Sequence, residues 1–411
     1  MVVTISPSKA YGQMEAPPSK SMANRFLICA GCAQGTSVIS NIDLSGDIGA
    51  TLDCLRALGV KAVYENRCVT VRGIDIRALK QPAMLDCAEC GSTLRFMIPV
   101  CLMSGHRFEL TGSETLFTRP LTVFEEICKK QNLTYEKKGN HLSVAGRLQP
   151  GDYVIKGNIS SQFVSGLLFV LPLLEKDSVI RLLPPLVSRP YIDMTIQALQ
   201  QFGVRVSWMD EYTLRIPGGQ QYLPQANLRV EGDYSNAAFF DALNLLGGDV
   251  SLYGLSEKSL QGDRVYRDFF DRLQAGYADI DLFDCPDLAP VLIALAAALH
   301  GAGFTGTGRL KIKESDRGAA LRQELSKMKV RMDVSEDQIR ILPGLCPPQE
   351  ILDGHNDHRI VMALCVLLTL TGGRIRGAEA VAKSLPDFFD RLKVLGIKVK
   401  SIDEPIDGPD Q

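Results

Sequence analysis

Polar and apolar positions recur along the chain as one repeated arrangement. A Ser, Thr or acidic residue opens an amphipathic run, a Gly or Asn stops it, and two alternating β-branched stretches follow with a polar turn between them. The clearest copies span 45–73, 118–146, 188–218 and 314–344, with partial copies at 262–275 and 384–400, six in all. Ser or Thr before Arg-Pro predicts an N-cap with proline in the first turn, where its missing N–H costs nothing. Gly59, Gly203 and Gly396 are placed to end helices in the left-handed conformation. Alternation at Val204 and Val206, and at Leu214 and Ile216, predicts half-buried strands. The more continuously apolar stretches 162–174 and 290–299 predict buried helices. Three copies per half predict an α/β (α+β) chain of two similar lobes.

The stretch 220–228, with Pro224 and paired glutamines, reads as one crossing between lobes, and Ala16-Pro17-Pro18 as a second if the first strand joins the other lobe. The expected lobes are therefore 1–15 plus 228–411, and 16–227.

Composition narrows the function classes. Apolar residues make up 45% and charged residues 22% of 411, an ordinary globular balance. The formal charge of -2 gives no bulk attraction to nucleic acid or an anionic membrane. The longest apolar runs, 163–174, 289–299 and 360–370, fall short of the roughly 18 residues a membrane span needs. The start MVVTISPSK lacks a secretory apolar core, so the reading is a cytoplasmic protein whose eleven cysteines are reduced thiols.

Three motifs invite other chemistry. The pairs Cys29/Cys32 and Cys87/Cys90 have zinc-knuckle spacing, but the first lies inside an apolar run, which favours core thiols. Gly301-Ala302-Gly303-Phe304-Thr305-Gly306 has dinucleotide-motif spacing in the wrong context, since a helical run precedes it and an alternating run, 304–312, follows. His355 and His358 lack further ligands at metal-binding spacing, so no metal site is expected.

Anion chemistry is written locally instead. Lys or Arg beside small hydroxyls recurs at Lys20-Ser21 with Arg25, Gly91-Ser92-Thr93 with Arg95, Thr118-Arg119, Ser160-Ser161-Gln162, Ser188-Arg189, Lys313-Glu314-Ser315-Asp316-Arg317, Asn356-Asp357-His358-Arg359 and Lys383-Ser384. Many of these fall at expected helix starts, where N–H groups and the helix dipole favour phosphates and carboxylates. One cluster reads equally as a cap and a solvated charge. Repetition at equivalent points of six units predicts an anion-lined cleft.

On these motifs the chain resembles the 5-enolpyruvylshikimate-3-phosphate synthase family over nearly its whole length. The resemblance rests on Lys20-Ser21-Met22-Ala23-Asn24-Arg25, Ser160-Ser161-Gln162-Phe163, Val187-Ser188-Arg189-Pro190-Tyr191, Pro286-Asp287, Lys313-Glu314-Ser315-Asp316-Arg317 and Asn356-Asp357-His358-Arg359, in that order. It implies two lobes, each of three βαβαββ units in a sixfold inside-out, barrel-like arrangement. It also implies transfer of the enolpyruvyl group of phosphoenolpyruvate to the 5-hydroxyl of shikimate 3-phosphate, with phosphate released, by a monomer without cofactor, metal, nucleic-acid or membrane partner. By the same resemblance Asp287, Glu314 and Lys20 are catalytic. Lys20, Ser21, Arg25, Ser160, Ser161, Gln162, Ser188, Tyr191, Asp287 and Lys313 would hold shikimate 3-phosphate. Lys20, Gly91, Arg119, Gln162, Arg317, Arg359 and Lys383 would hold phosphoenolpyruvate.

Bland alternatives stand beside these roles: Asp287 as a helix cap and Glu314 as the salt-bridge partner of Arg317 three residues on. The chain departs from the family pattern at Glu89-Cys90-Gly91-Ser92, Phe96 and Arg309. Glu89 is read either as paired with a cation beside the phosphoenolpyruvate position or as turned away from it. UDP-N-acetylglucosamine enolpyruvyl transfer and a non-catalytic anion-binding scaffold are the rival functions.

Overall fold

Two compact units make up the protein: Pro18–Glu231, and Met1–Pro17 together with Gly232–Gln411. The computed structural model describes residues 1–402. The chain passes between units after Pro17 and again after Glu231. The second passage lies beyond the 220–228 stretch that the composition suggested. That stretch is built into the unit 18–231: the Gln225 carbonyl accepts from Val38 N at 2.8 Å, and Leu228–Arg229 pairs in parallel with Gly35–Ser40. Pro224 therefore lies against a sheet edge, packed where a Cβ on Gly35 would meet it at 2.8 Å.

Within the unit 18–231 three four-stranded sheets share one topology. In one of them Met84–Asp86 runs parallel to Arg107–Thr111, which pairs antiparallel with His141–Ala145, itself the partner of Thr134–Lys138. A parallel step needs a crossover, and the helix Gly91–Cys101 supplies it. Phe108, Leu110, Leu142 and Val144 alternate into the core. The helices Lys20–Cys32, Gly91–Cys101 and Ser161–Val170 are buried almost all round, so they form the interior and the sheets cover them. Phe96 packs edge-on against Phe169, with centroids 5.1 Å apart, which accounts for an aromatic at that position.

The other unit has its own apolar core. Ala278–Asp281, Ala302–Thr305, Gln338–Ile341 and Met332–Val334 repeat the same four-strand order. A second sheet places the N-terminal strand Val2–Ser6 between Gly373–Arg376 and Lys398–Ile402. The remaining sheet has only Tyr11–Glu15 parallel to Asp249–Tyr253. After that pair the helix Tyr266–Ala275 leads straight into Ala278–Asp281, with no hairpin between, so one of the six repeats is truncated.

Several local expectations change. Gly59, Gly203 and Gly396 do adopt positive φ, +96, +78 and +86°. Thr118, however, ends the short helix Glu114–Thr118, and the next helix, Thr122–Lys130, starts without a side-chain cap. The alternating run 304–312 is strand only in its first two residues, the end of Ala302–Thr305, then becomes a 3₁₀ turn at Gly308–Ile312. Val204 and Val206 are buried, but the strand there is only Ser207–Trp208. No helix among the described residues is long and apolar enough to cross a membrane.

Candidate active site

In the unit 18–231 the helix starts are joined by polar contacts. Ser19 caps Lys20–Cys32 by accepting from Met22 N, and Ser160 caps Ser161–Val170 by accepting from Gln162 N, each at 3.3 Å. Ser188 differs: it sits at φ 55°, and its hydroxyl does not cap the helix Arg189–Gln201. One buried guanidinium draws these elements together. Arg25 donates to Ser21 O at 2.7 Å, Tyr191 O at 3.0 Å and Thr195 Oγ1 at 2.8 Å, while Thr195 meets Ser165 Oγ at 2.7 Å. Arg25 thus ties the helix Lys20–Cys32 to Arg189–Gln201, and Thr195 extends the link to Ser165 of Ser161–Val170, around a cation whose hydrogen-bond acceptors are all neutral. Burial lowers the Arg25 pKa to about 10, yet it stays charged near neutral pH.

A second cluster forms around Gly91. A Cβ there would lie 2.7 Å from Arg119 Nη1 and 3.1 Å from Arg95 Nη1, so glycine is what lets two guanidiniums lie against the backbone. Arg95 donates to Gln162 Oε1 at 2.6 Å and to Pro120 O at 3.0 Å, and it lies 5.2 Å over the Phe163 ring. Gly91, Arg119 and Gln162 are therefore brought together, with Arg95 linking them. The sequence places Arg95 in an anion cluster but assigns it no ligand. Lys20 takes a different partner, Asp47 Oδ2 at 2.6 Å. Asp47 belongs to the first turn of Gly46–Ala57. Glu89 is half-buried, one residue before the cap Cys90. Arg189 turns to the Trp208 ring, 4.3 Å from its centroid.

The other unit concentrates carboxylates and cations around Asp287. Its Oδ1 accepts from Lys313 Nζ at 3.0 Å and Arg317 Nη1 at 2.9 Å; Arg359 Nη2 lies 3.6 Å from Oδ2, and Arg359 Nη1 donates to its carbonyl at 3.1 Å. Asp287 lies in the 3₁₀ turn Pro286–Leu288 rather than capping the following helix. Arg317, with a side chain 1% exposed, also donates to Glu314 Oε2 at 2.8 Å and Asp357 Oδ2 at 2.8 Å. Glu314 thus makes the salt bridge that the sequence left open. Lys383 donates to Asn356 O at 2.5 Å, and Asp357 caps the helix His358–Thr371.

Charge sets the protonation of this cluster. Burial pushes the Asp287 carboxyl up, but Lys313, Arg359 and Arg317 outweigh it and hold it well below the usual range. Burial lowers the Lys313 pKa, and Asp287 opposes that shift. Arg317 goes the other way: burial lowers it, and Asp357, Glu314 and Asp287 raise it overall. Asp263 is 3% exposed, its Oδ2 accepts from Ser235 Oγ, and its Oδ1 has no partner. Burial and then Asp287 push this carboxyl up to about 7.

Asp357 was named only within its motif, while Asp263 and Asp47 escaped the sequence reading because their partners, Ser235 and Lys20, are 28 and 27 positions away. The decoys resolve simply. All eleven cysteines are free thiols, Cys29, Cys32, Cys87 and Cys90 among the buried ones. His355 is engaged with Glu324 Oε1 at 2.9 Å. Arg309 donates to Phe283 O at 3.4 Å.

A family model described as EPSP synthase (3-phosphoshikimate 1-carboxyvinyltransferase) matches residues 5–392. The 3-phosphoshikimate 1-carboxyvinyltransferase of Clostridium kluyveri is 38% identical over 420 residues, covering 96% of this chain and 97% of that one. Its namesake in Clostridioides difficile is 37% identical over 427 residues, covering 96% and 97%. Among solved structures, an EPSP synthase of Acinetobacter baumannii superposes with a TM-score of 0.78 at 22% identity, covering 98% of this chain and all of that one. The enolpyruvyl transferase NikO of Streptomyces tendae has the same fold, with a TM-score of 0.78 at 14% identity, covering 98% and 99%. With the match running through every motif from Lys20 to Lys383, the chain belongs to the EPSP synthase, or 3-phosphoshikimate 1-carboxyvinyltransferase, family.

Proposed function

We propose that this protein transfers the enolpyruvyl group of phosphoenolpyruvate to the 5-hydroxyl of shikimate 3-phosphate, a step of aromatic amino acid biosynthesis, and that the residues above divide the work. The hydroxyl oxygen attacks C2 of phosphoenolpyruvate while C3 takes a proton. The tetrahedral intermediate then loses phosphate and a C3 proton, leaving the enol ether. Asp287 takes the hydroxyl proton, and its cations keep it in the acceptor form across the neutral range. Glu314 exchanges the C3 proton, held in the Arg317 fork. Lys20 assists at the reacting centre, and Lys313 orients the alcohol.

Ser21, Arg25, Ser160, Ser161, Gln162, Ser188 and Tyr191 hold shikimate 3-phosphate. The N-terminal end of Arg189–Gln201 and the Arg25 charge favour a dianionic phosphate there. Gly91, Arg119, Gln162, Arg317, Arg359 and Lys383, with Lys20, hold phosphoenolpyruvate. The single observation that carries this reading is the Asp287 carboxylate ringed by Lys313, Arg317 and Arg359, an ionised acceptor set among anion-binding cations.

The reading takes the protein as a cytoplasmic monomer that works on two small molecules; free thiols at all eleven cysteines fit a reducing compartment, and light scattering checks the mass. Inorganic phosphate release is the test of the reaction. It is expected only with phosphoenolpyruvate and shikimate 3-phosphate together, and to persist in EDTA. Release with UDP-N-acetylglucosamine in place of shikimate 3-phosphate would overturn the assignment.

A further inference from the structure

Two turns beyond Arg317, on the helix Arg317–Lys327, Glu324 is fully buried. Its Oε2 accepts from Lys327 Nζ at 2.7 Å and from Asp353 N at 2.8 Å, while its Oε1 stands 2.9 Å from His355 Nε2. Asp353 in turn accepts from His355 N at 2.8 Å and from Arg376 Nε at 2.8 Å. The chain then passes through His355 at φ 49° and Asn356 at φ 50°, two successive side-chain-bearing residues in the left-handed region. That conformation is disfavoured for L-residues and persists where surrounding contacts over-determine it. Beyond the turn, Arg317 of the same helix holds Asp357 at 2.8 Å, and Lys383 takes the Asn356 carbonyl. One helix therefore grips the turn on both sides, through Glu324 before it and Arg317 after it.

A buried carboxylate is costly unless its oxygens are satisfied, and each of Glu324's contacts is spent on residues 351–355 or on Lys327, which also reaches Ile351 O at 3.3 Å. Nothing in the reaction requires a carboxylate at this place. We propose that Glu324, acting through His355, is a positioning pair that fixes the 355–356 turn, so that Asn356 meets Lys383 and Arg359 enters its helix aimed at the phosphoenolpyruvate end. This rests on the assignment of Arg359 and Lys383 to phosphoenolpyruvate.

Glu324 is a poor probe, because truncating it removes the carboxylate partner of Lys327 and leaves the Asp353 N–H without its acceptor. His355, with a side chain 23% exposed, is the place to intervene. His355→Gln keeps an N–H at the reach of Nε2; His355→Leu removes it. In the full-length chain, His355→Leu is expected to raise KM for phosphoenolpyruvate about tenfold, the scale of one hydrogen bond to a charged group. KM for shikimate 3-phosphate and kcat should change less than about twofold, and His355→Gln should restore the wild-type KM. Amide hydrogen exchange over 352–357 should rise in His355→Leu and return in His355→Gln. Unchanged exchange, or equal rises in both KM values, would overturn the pair. Absence of phosphate release by the unmodified chain would defeat the functional assignment instead, and the exchange measurement would then decide the positioning pair by itself.

Discussion

Arg25 and Arg317 are both buried guanidiniums, and the two units compensate them in opposite ways. Arg25 is surrounded by a threonine hydroxyl and two carbonyls, so its full charge remains. Arg317 is spread over three carboxylates, Asp287, Glu314 and Asp357. The first arrangement stores attraction for an arriving anion at a cost to the empty protein. The second stores little net charge but fixes three acids in defined positions. Binding a phosphate and handling a proton call for these two kinds of site.

The largest test of that contrast is Arg317→Met. It removes the guanidinium from the fully buried Asp357 and one cation each from Asp287 and Glu314, and should cost about 3–5 kcal/mol in urea unfolding together with the activity. A loss below about 1 kcal/mol would mean that the acids find other partners. Arg25→Met should invert the pattern. Its acceptors are neutral and Thr195 retains Ser165, so stability should fall by about 1–2 kcal/mol, while calorimetric affinity for shikimate 3-phosphate drops tenfold or more. Destabilisation equal to that of Arg317→Met would erase the distinction.

Asp263 sharpens the comparison through pH. Its folded pKa, about 7, lies above the unfolded value of 3.8, so the folded state holds the proton more tightly. Its contribution is fully present below pH 4 and is lost as pH rises to about 7, the reverse of the depressed Asp287, whose contribution is lost as pH falls through its folded pKa. Asp263→Asn should therefore gain stability relative to wild type between about pH 4 and 7 in thermal melts. A difference independent of pH would show that Asp263 is ionised throughout. The smallest effect is expected at Glu89, two residues from the Arg95 and Arg119 guanidiniums at Gly91. Glu89→Asn should tighten phosphoenolpyruvate a few-fold at low ionic strength and less in salt, and equal affinities would mean that the carboxylate is turned away.

How far the sequence reached follows from which contacts are local. Caps three residues ahead of the N–H they accept from, such as Ser45 for Ile48, were legible from spacing alone. Ser188 and Thr118 look identical to such caps before Arg-Pro, yet the first takes a left-handed backbone and the second closes a preceding helix. Asp287, Lys313 and Arg317 could be named by motif, but their convergence on one oxygen comes from a turn and a helix start brought together by a sheet crossover. Arg25 was named without its compensation, because Thr195 lies 170 positions away. Asp263 carried no signal at all, since an acid becomes unusual only once it is buried.

The N-terminal strand has a consequence for synthesis. Val3 pairs on one side with Ile375 and on the other with Ser401, so this early strand lies between two that are made about 370 and 400 residues later. The unit 18–231 is contiguous and has every residue it needs when about half the chain has left the ribosome. Residues 2–6, though translated earlier, cannot complete this sheet until 373–402 have been made, so the apolar Val2, Val3 and Ile5 lack that cover in the interval. Order of translation and order of folding are thus opposed in this protein, with the middle maturing before the beginning.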